Sequence, residues 1–242
     1  MDPETSAGAH GTDAATTTAI SARLRPTYDA VVFDNDGVIV EPSDRDVLVE
    51  ATVDAFAAFD VAVDADRVKR SVAEDAVPWD LLREHPLDPE AFWHQRELTA
   101  SLAQQAHTRA GGKPVYDGVS ALDDLDVPLG LVSNNQHATV EFLLAYHDID
   151  RFETAYGRQP TLAGAARRKP APDYIEQALS DLDAREALYV GDSETDVVAA
   201  KRAGIDSAFL RRPHVADVSL SVEPTVEVPD MRMLVDALIV SD

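Results

Sequence analysis

Ala30, Val31, Val32 and Phe33 form an unbroken apolar run that stops abruptly at Asp34, Asn35, Asp36 and Gly37. Four apolar residues without polar alternation predict a strand covered on both faces, and the polar residues after them predict a turn. The same design returns at residues 128–132, ending in Ser133, Asn134 and Asn135, and at residues 187–190, ending in Gly191, Asp192 and Ser193. Further strand candidates are residues 154–156, 207–210 and 225–228. Helical spacing occupies residues 137–147, 173–182, 195–203 and 230–239, with Gly204 placed to cap the third of these. Strands alternating with helices of this length predict an α/β fold whose parallel sheet carries helices on both faces. Ligands of such sheets bind beyond the carboxyl ends of the strands.

Residues 42–113 break the alternation. Val47, Val49, Val53, Phe56 and Phe59 are spaced for a helix, as are Phe92, Trp93, Leu98 and Leu102, and no buried strand separates them. The pattern predicts a helical cap domain at 42–113, inserted into a core domain made of residues 25–41 and 114–242. Gly111, Gly112 and Pro114 offer the hinge back to the core. Residues 1–24 are mostly Ala, Thr, Gly and Asp, too poor in apolar surface to offset the entropy of ordering, and are expected to be a flexible tail. No secretory pattern and no run of 18 apolar residues occurs, so a membrane span is not expected.

Composition narrows the partners. The chain has 44 acidic and 21 basic residues, a formal net charge of -23. That field argues against nucleic acid and anionic membranes as partners. Asp supplies 30 of the acids and Lys occurs only four times, a surface suited to a salt-saturated cytoplasm in which self-repulsion is screened, so a halophilic source is expected. With no Cys there is neither disulfide nor thiolate metal site, which fits a reducing cytoplasm. The seven His show no ligand spacing that would suit zinc.

Asp-x-Asp pairs are cheap evidence here: about four are expected by chance and six occur. The pairs at 44/46, 64/66, 124/126, 148/150 and 181/183 lie in polar surroundings and read as solvated surface. Only Asp34 and Asp36 follow a buried run and precede a Gly, and burying two carboxylates there is unfavourable unless a cation compensates. Asp192 and Asp196 repeat the situation after a second strand, although Asp192 or Ser193 also suits a helix N-cap. Together the two strand ends suggest a magnesium site of hard oxygen ligands. Ser133 and Asn134, at a third strand end beside a helix start, suit phosphate oxygens. Lys169 closes the only run of three cations, Arg167 to Lys169, which in so acidic a chain suggests an anion to be held.

These four segments, Phe33-Asp34-Asn35-Asp36-Gly37-Val38, Val132-Ser133-Asn134, Lys169-Pro170-x-Pro172 and Gly191-Asp192-Ser193-x-x-Asp196, resemble in order the four motifs of the haloacid dehalogenase-like hydrolase superfamily. The resemblance runs from about residue 28 to the C-terminus and implies a Rossmann-like core. The helical insert resembles the cap of the subgroup that includes phosphoglycolate phosphatases. By position, the resemblance implies that Asp34 is the nucleophile and Asp36 the acid/base. Ser133 and Lys169 would hold the transferring phosphoryl group. Magnesium would be bound by the Asp34 carboxylate, the Asp36 carbonyl and Asp192, with Gly37, Ser193 and Asp196 supporting. Two departures stand out: Asn35 takes a position more often apolar, and Val38 replaces the commoner Thr.

The function expected is magnesium-dependent hydrolysis of small phosphate monoesters through an aspartyl phosphate, phosphoglycolate being the leading substrate, by a cytoplasmic monomer or homodimer. A sugar-phosphate mutase on the same site is the alternative, and a binding or regulatory protein without turnover a third. In the cap, Arg83, His85, His94, Arg96 and His107 are within the segment that selects substrate, though lone polar residues on such helices are more often simply solvated.

Overall fold

The computed structural model describes residues 15–239. All six strands expected from the sequence are present: β1 (Ala30–Phe33), β2 (Leu129–Gln136), β3 (Thr154–Arg158), β4 (Ala187–Gly191), β5 (Asp206–Leu210) and β6 (Val226–Val228). They form one sheet in the order β3-β2-β1-β4-β5-β6, every pair parallel. The helices are α1 (residues 15–21), α2 (Arg45–Ala57), α3 (Ala65–Ala73), α4 (Trp79–Glu84), α5 (Pro89–Arg109), α6 (His137–Tyr146), α7 (Leu162–Ala166), α8 (Asp173–Asp181), α9 (Glu194–Ala203) and α10 (Met231–Ile239). Gly204 ends α9 in the left-handed conformation, with φ 77°.

The unbroken apolar runs have the expected cause. Val31 and Phe33 of β1 point into one layer, with α6, α10 and α1, while Ala30 and Val32 point into the other, with α8 and α9. Each central strand is therefore buried on both faces. Chain order reverses direction across the sheet at β1, which has β2 on one side and β4 on the other. The polar ends of these three strands meet there, at the switch point where open α/β sheets bind ligands.

Helices α2 to α5 occupy the interrupted stretch and have their own apolar cluster, including Val49, Phe56, Val68, Leu81, Leu82 and Phe92. Asp44 and Asp64, read from sequence as solvated, cap α2 and α3 by accepting from the Asp46 and Asp66 amides at 2.8 Å each. Asp88 caps α5 in the same way, on the Ala91 amide at 2.8 Å.

The flexible tail expected over residues 1–24 needs correcting. Residues 15–21 are helical, Ile20 and Leu24 are buried in the core, and Ser21 Oγ donates to the Ala237 carbonyl at 2.8 Å. Two apolar side chains suffice because the sheet layer provides a place for both. The rest of that segment, residues 1–14, lies outside the described residues. Among the described residues no helix is long and apolar enough to cross a membrane.

Candidate active site

Asp34 stands on the first residue past β1, and its Oδ1 lies 2.9 Å from Lys169 Nζ. That ammonium is almost fully buried and also meets Asp196 Oδ1 at 2.7 Å, the Tyr189 hydroxyl at 2.7 Å and the Val132 carbonyl at 3.1 Å. Its main chain is held from a third strand end: Asn134 Oδ1 accepts from the Lys169 amide at 2.7 Å and Asn134 Nδ2 donates to its carbonyl at 2.9 Å. Both ends of the Asn134 side chain are thus engaged in positioning Lys169, so of the groups expected to meet a phosphate at this residue the main-chain N–H is the one left to do so. Ser133 lines the cavity with its hydroxyl accepting only a local bond from the Asn135 amide, at 3.1 Å.

Asp36 faces elsewhere. Its Oδ1 pairs with Lys113 and accepts from Ser43 Oγ at 2.9 Å, and its Oδ2 accepts from Asn135 Nδ2 at 2.9 Å. Burial by itself would raise the Asp36 pKa, but the Lys113 charge and these hydrogen bonds outweigh it and hold the carboxyl below its ordinary value. Lys113 is the residue between the hinge glycines and Pro114, and Ser43 begins the cap segment, so both connections between core and cap converge on Asp36.

Asp192 and Asp196 leave β4. Asp196 Oδ2 accepts from the Ser193 amide at 3.0 Å and from Ser193 Oγ at 2.6 Å, forming a cap on α9. Ser193 therefore serves both the helix and the site. Asp34, Asp192 and Asp196 each offer a carboxylate oxygen, all within 4.8 Å of one another. Burial drives the Asp34 carboxyl well above its ordinary value; Lys169 opposes this, and the Asp196 and Asp192 charges add to it. Burial also raises Asp192, against a hydrogen bond from His214. Three carboxylates around one ammonium carry two uncompensated negative charges, the amount one divalent cation neutralises, and an all-oxygen buried donor set fits a hard cation. Gly37, at φ +82°, completes the cradle: a Cβ there would lie 1.8 Å from Asp192 Oδ2.

A cavity of about 340 Å³ joins Asp34, Asp36, Ser133, Lys169 and Asp192 to Arg45, Arg96 and Arg158. Of the five cap residues singled out in the sequence, only Arg96 reaches it. Arg83 instead pairs with Asp80 at the surface, and His94 Nδ1 lies 3.3 Å from the Pro160 carbonyl. Asn35 is fully buried, donates to Asp36 Oδ2 at 3.3 Å and leaves its own Oδ1 without a partner among the described residues.

Sequence reasoning missed Lys113, Ser43, Asn135, Arg158 and His214. One signal was available: Lys113 is one of only four lysines and sits at the expected hinge, the same scarcity that flagged Lys169.

Fold and site together define a class, proteins with a parallel α/β core, a helical cap inserted after the first strand and a buried acidic cluster at the carboxyl ends of the central strands. A model of the haloacid dehalogenase-like hydrolases matches residues 28–204, and the chain belongs to that family. A phosphoglycolate phosphatase of Rhodospirillum rubrum is 33% identical over 192 residues, which cover 73% of this chain and 76% of the relative. Pyrophosphatase PpaX of Anoxybacillus flavithermus is 36% identical over 96 residues, covering 39% of this chain and 43% of that protein, so less than half of its length is spanned. In fold, the chain resembles CbbY from Rhodobacter sphaeroides, solved in complex with phosphate, with a TM-score of 0.64 at 18% identity, covering 86% of this chain and 96% of that one. The chain is an enzyme, one of the phosphatase-like members of its family.

Proposed function

We propose that this enzyme is a magnesium-dependent phosphatase of small phosphate monoesters in a salt-rich cytoplasm, with phosphoglycolate as the leading substrate. The observation that carries the reading is the Lys169 ammonium fixed between Asp34 and Asp196, at 2.9 and 2.7 Å, in a cavity that also contains Ser133 and Asp192. An ammonium and a hydroxyl beside a carboxylate nucleophile suit phosphoryl transfer, which depends on in-line positioning and on neutralising equatorial oxygens. The phosphoglycolate phosphatase relative supports the choice of substrate, and Arg45 and Arg96 at the cavity wall suit a second anionic group such as its carboxylate.

In this reading an Asp34 oxygen attacks phosphorus in line, the ester P–O bond breaks, and Asp36 gives a proton to the leaving oxygen. Water then attacks the aspartyl phosphate, Asp36 takes its proton, and inorganic phosphate leaves with Asp34 restored. A cation held by Asp34, Asp192 and the Asp36 carbonyl would supply charge neutralisation at the transferring group. Contact with Lys113, whose charge holds the Asp36 carboxyl below its ordinary value, favours the ionised form, the one suited to the second step. The first step requires that contact to be released, and Lys113 lies at the hinge, where cap movement would release it.

A panel of phosphorylated metabolites, assayed with magnesium and after chelation, tests the proposal. Phosphoglycolate should give the highest kcat/KM, and chelation should abolish turnover; undiminished activity after exhaustive chelation would overturn the metal assignment.

A further inference from the structure

The loop after β5 is built into the site although none of the four sequence motifs includes it. Arg211 braces it, pairing with Glu227 of β6 at 2.8 Å and donating to the Val215 and Val218 carbonyls at 3.1 and 2.6 Å. Arg212 fastens it to the catalytic turn, donating from Nη2 to the Val38 carbonyl at 2.9 Å with its guanidinium 4.0 Å over the Tyr116 ring. This second anchor is an unfavourable one in itself. Arg212 is buried, and its Nε has no partner among the described residues.

Directly after the two anchors, Pro213 opens a short 3-10 turn, Pro213–Val215, that presents His214 to Asp192. His214 Nε2 lies 2.6 Å from Asp192 Oδ2. The same oxygen is bounded on another side by Gly37, where any Cβ would fall 1.8 Å away. The contact with His214 thus fixes one oxygen of this carboxylate, in space that glycine at position 37 leaves open, and fixing one oxygen sets the plane in which the other points. Asp192 is one of the three acids whose oxygens converge within 4.8 Å.

We propose that His214 is a positioning residue of the metal site, its Nε2–H holding Asp192 in the orientation that a divalent cation requires. The proposal rests on the reading of this site as cation-dependent. Partners that orient ligating side chains typically contribute tenfold to a hundredfold in metal affinity. A neutral imidazole is sufficient for the role, since only the Nε2–H bond is used.

Calorimetric titration of the metal-free full chain with Mg²⁺, and separately with Mn²⁺, tests this on the wild type, His214→Ala and His214→Gln. The Ala variant should bind both ions about tenfold to a hundredfold more weakly. The Gln variant, whose amide offers an N–H at similar reach, should stay within about threefold of wild type, and far-UV circular dichroism should show all three folded. Affinity of His214→Ala within twofold of wild type would overturn the proposal even if its metal-free Tm fell, since His214 would then merely cover a buried carboxylate. Tighter binding by that variant would overturn it too, by showing that the imidazole competes with the cation. A wild type that binds neither ion would refute the cation-dependent reading itself, a failure distinct from the other two.

Discussion

Asp34 and Asp36 are two residues apart on one turn, yet their surroundings separate them. Asp34 faces Lys169 and the other acids of the cavity, whereas Asp36 is held by Lys113, Ser43 and Asn135. Their variants should fail differently. Asp34→Asn removes the attacking oxygen, so neither turnover nor an acid-quenched acyl phosphate should be detected. Asp36→Asn keeps the nucleophile but lacks the proton donor, so it should lose far more rate on an alkyl phosphate than on an aryl phosphate, whose leaving group hardly needs a proton. Equal losses on both substrates would show the pair to be wrongly assigned. Lys169→Ala should lower kcat by about a hundredfold to a thousandfold, or roughly 3 to 4 kcal/mol of transition-state stabilisation. A loss under threefold would transfer the phosphate-holding role to another cation of the cavity wall.

Among the elements, α5 decides how the cap meets the core. It buries Glu97, Ser101, Gln104 and Thr108, one residue per turn on a single face. Glu97 accepts from Arg158 of β3 at 2.8 and 3.0 Å and from Arg96 at 2.6 Å, and Ser101 meets Thr139 of α6 at 2.9 Å. Arg158 also reaches Asp75 at 2.6 Å. Breaking a buried pair leaves an uncompensated charge, so Arg158→Met should lower unfolding stability by about 3 to 5 kcal/mol, read by urea denaturation. Burial alone would raise the Glu97 pKa, but Arg158 and Arg96 outweigh it and hold the carboxyl below its ordinary value. A depressed folded-state pKa contributes stability that is present above the unfolded value of about 4.3 and is lost as the pH falls through the folded one. Tm should accordingly be insensitive to this pair from pH 7 to about 5 and fall below about 4, less steeply in Glu97→Gln.

At the scale of the whole molecule, charge dominates. The raised Asp34 and Asp192 carboxyls have the opposite sign: they favour the fold when protonated, and that contribution is lost as the pH rises. At neutral pH the metal-free site should therefore be a locus of instability that a divalent cation relieves. At a hundred times Kd the cation should add about 2.7 kcal/mol, or roughly 5 to 10 °C in Tm. The net charge of the whole chain, -23, should be screened by salt, so Tm should climb with potassium chloride into the molar range. Maximal stability in dilute buffer would exclude the salt-adapted reading and leave the catalytic one untouched. The mutase alternative predicts a 6-phosphate isomer from a hexose 1-phosphate, stimulated by a bisphosphate primer, and incubation of the enzyme with that substrate should yield none.

The sequence by itself determined the sheet, because a strand buried on both faces must be written as an unbroken apolar run, and every such run here ends at a polar strand end. It also determined Asp34, Asp36, Ser133 and Asp192 as neighbours, since parallel strands bring their carboxyl ends to one edge, while Lys169, in a loop between two helices, was marked by the scarcity of Lys and by the family resemblance. Only the tertiary structure decided what the polar residues between the motifs do. Glu97, Ser101, Gln104 and Thr108 are spaced as a solvated helix face is, and nothing local distinguishes water from the core as their partner. Asn134 offers the same amide whether it meets a phosphate or the main chain of Lys169, and Ile20 and Leu24 gain a role only because the sheet layer receives them. Lys113 and His214 act across 77 and 22 residues of sequence, on Asp36 and Asp192, distances over which periodicity carries no signal. Hydrophobic pattern is a local code set by the period of each element, whereas hydrogen bonds and ion pairs choose their partners only after the chain has folded.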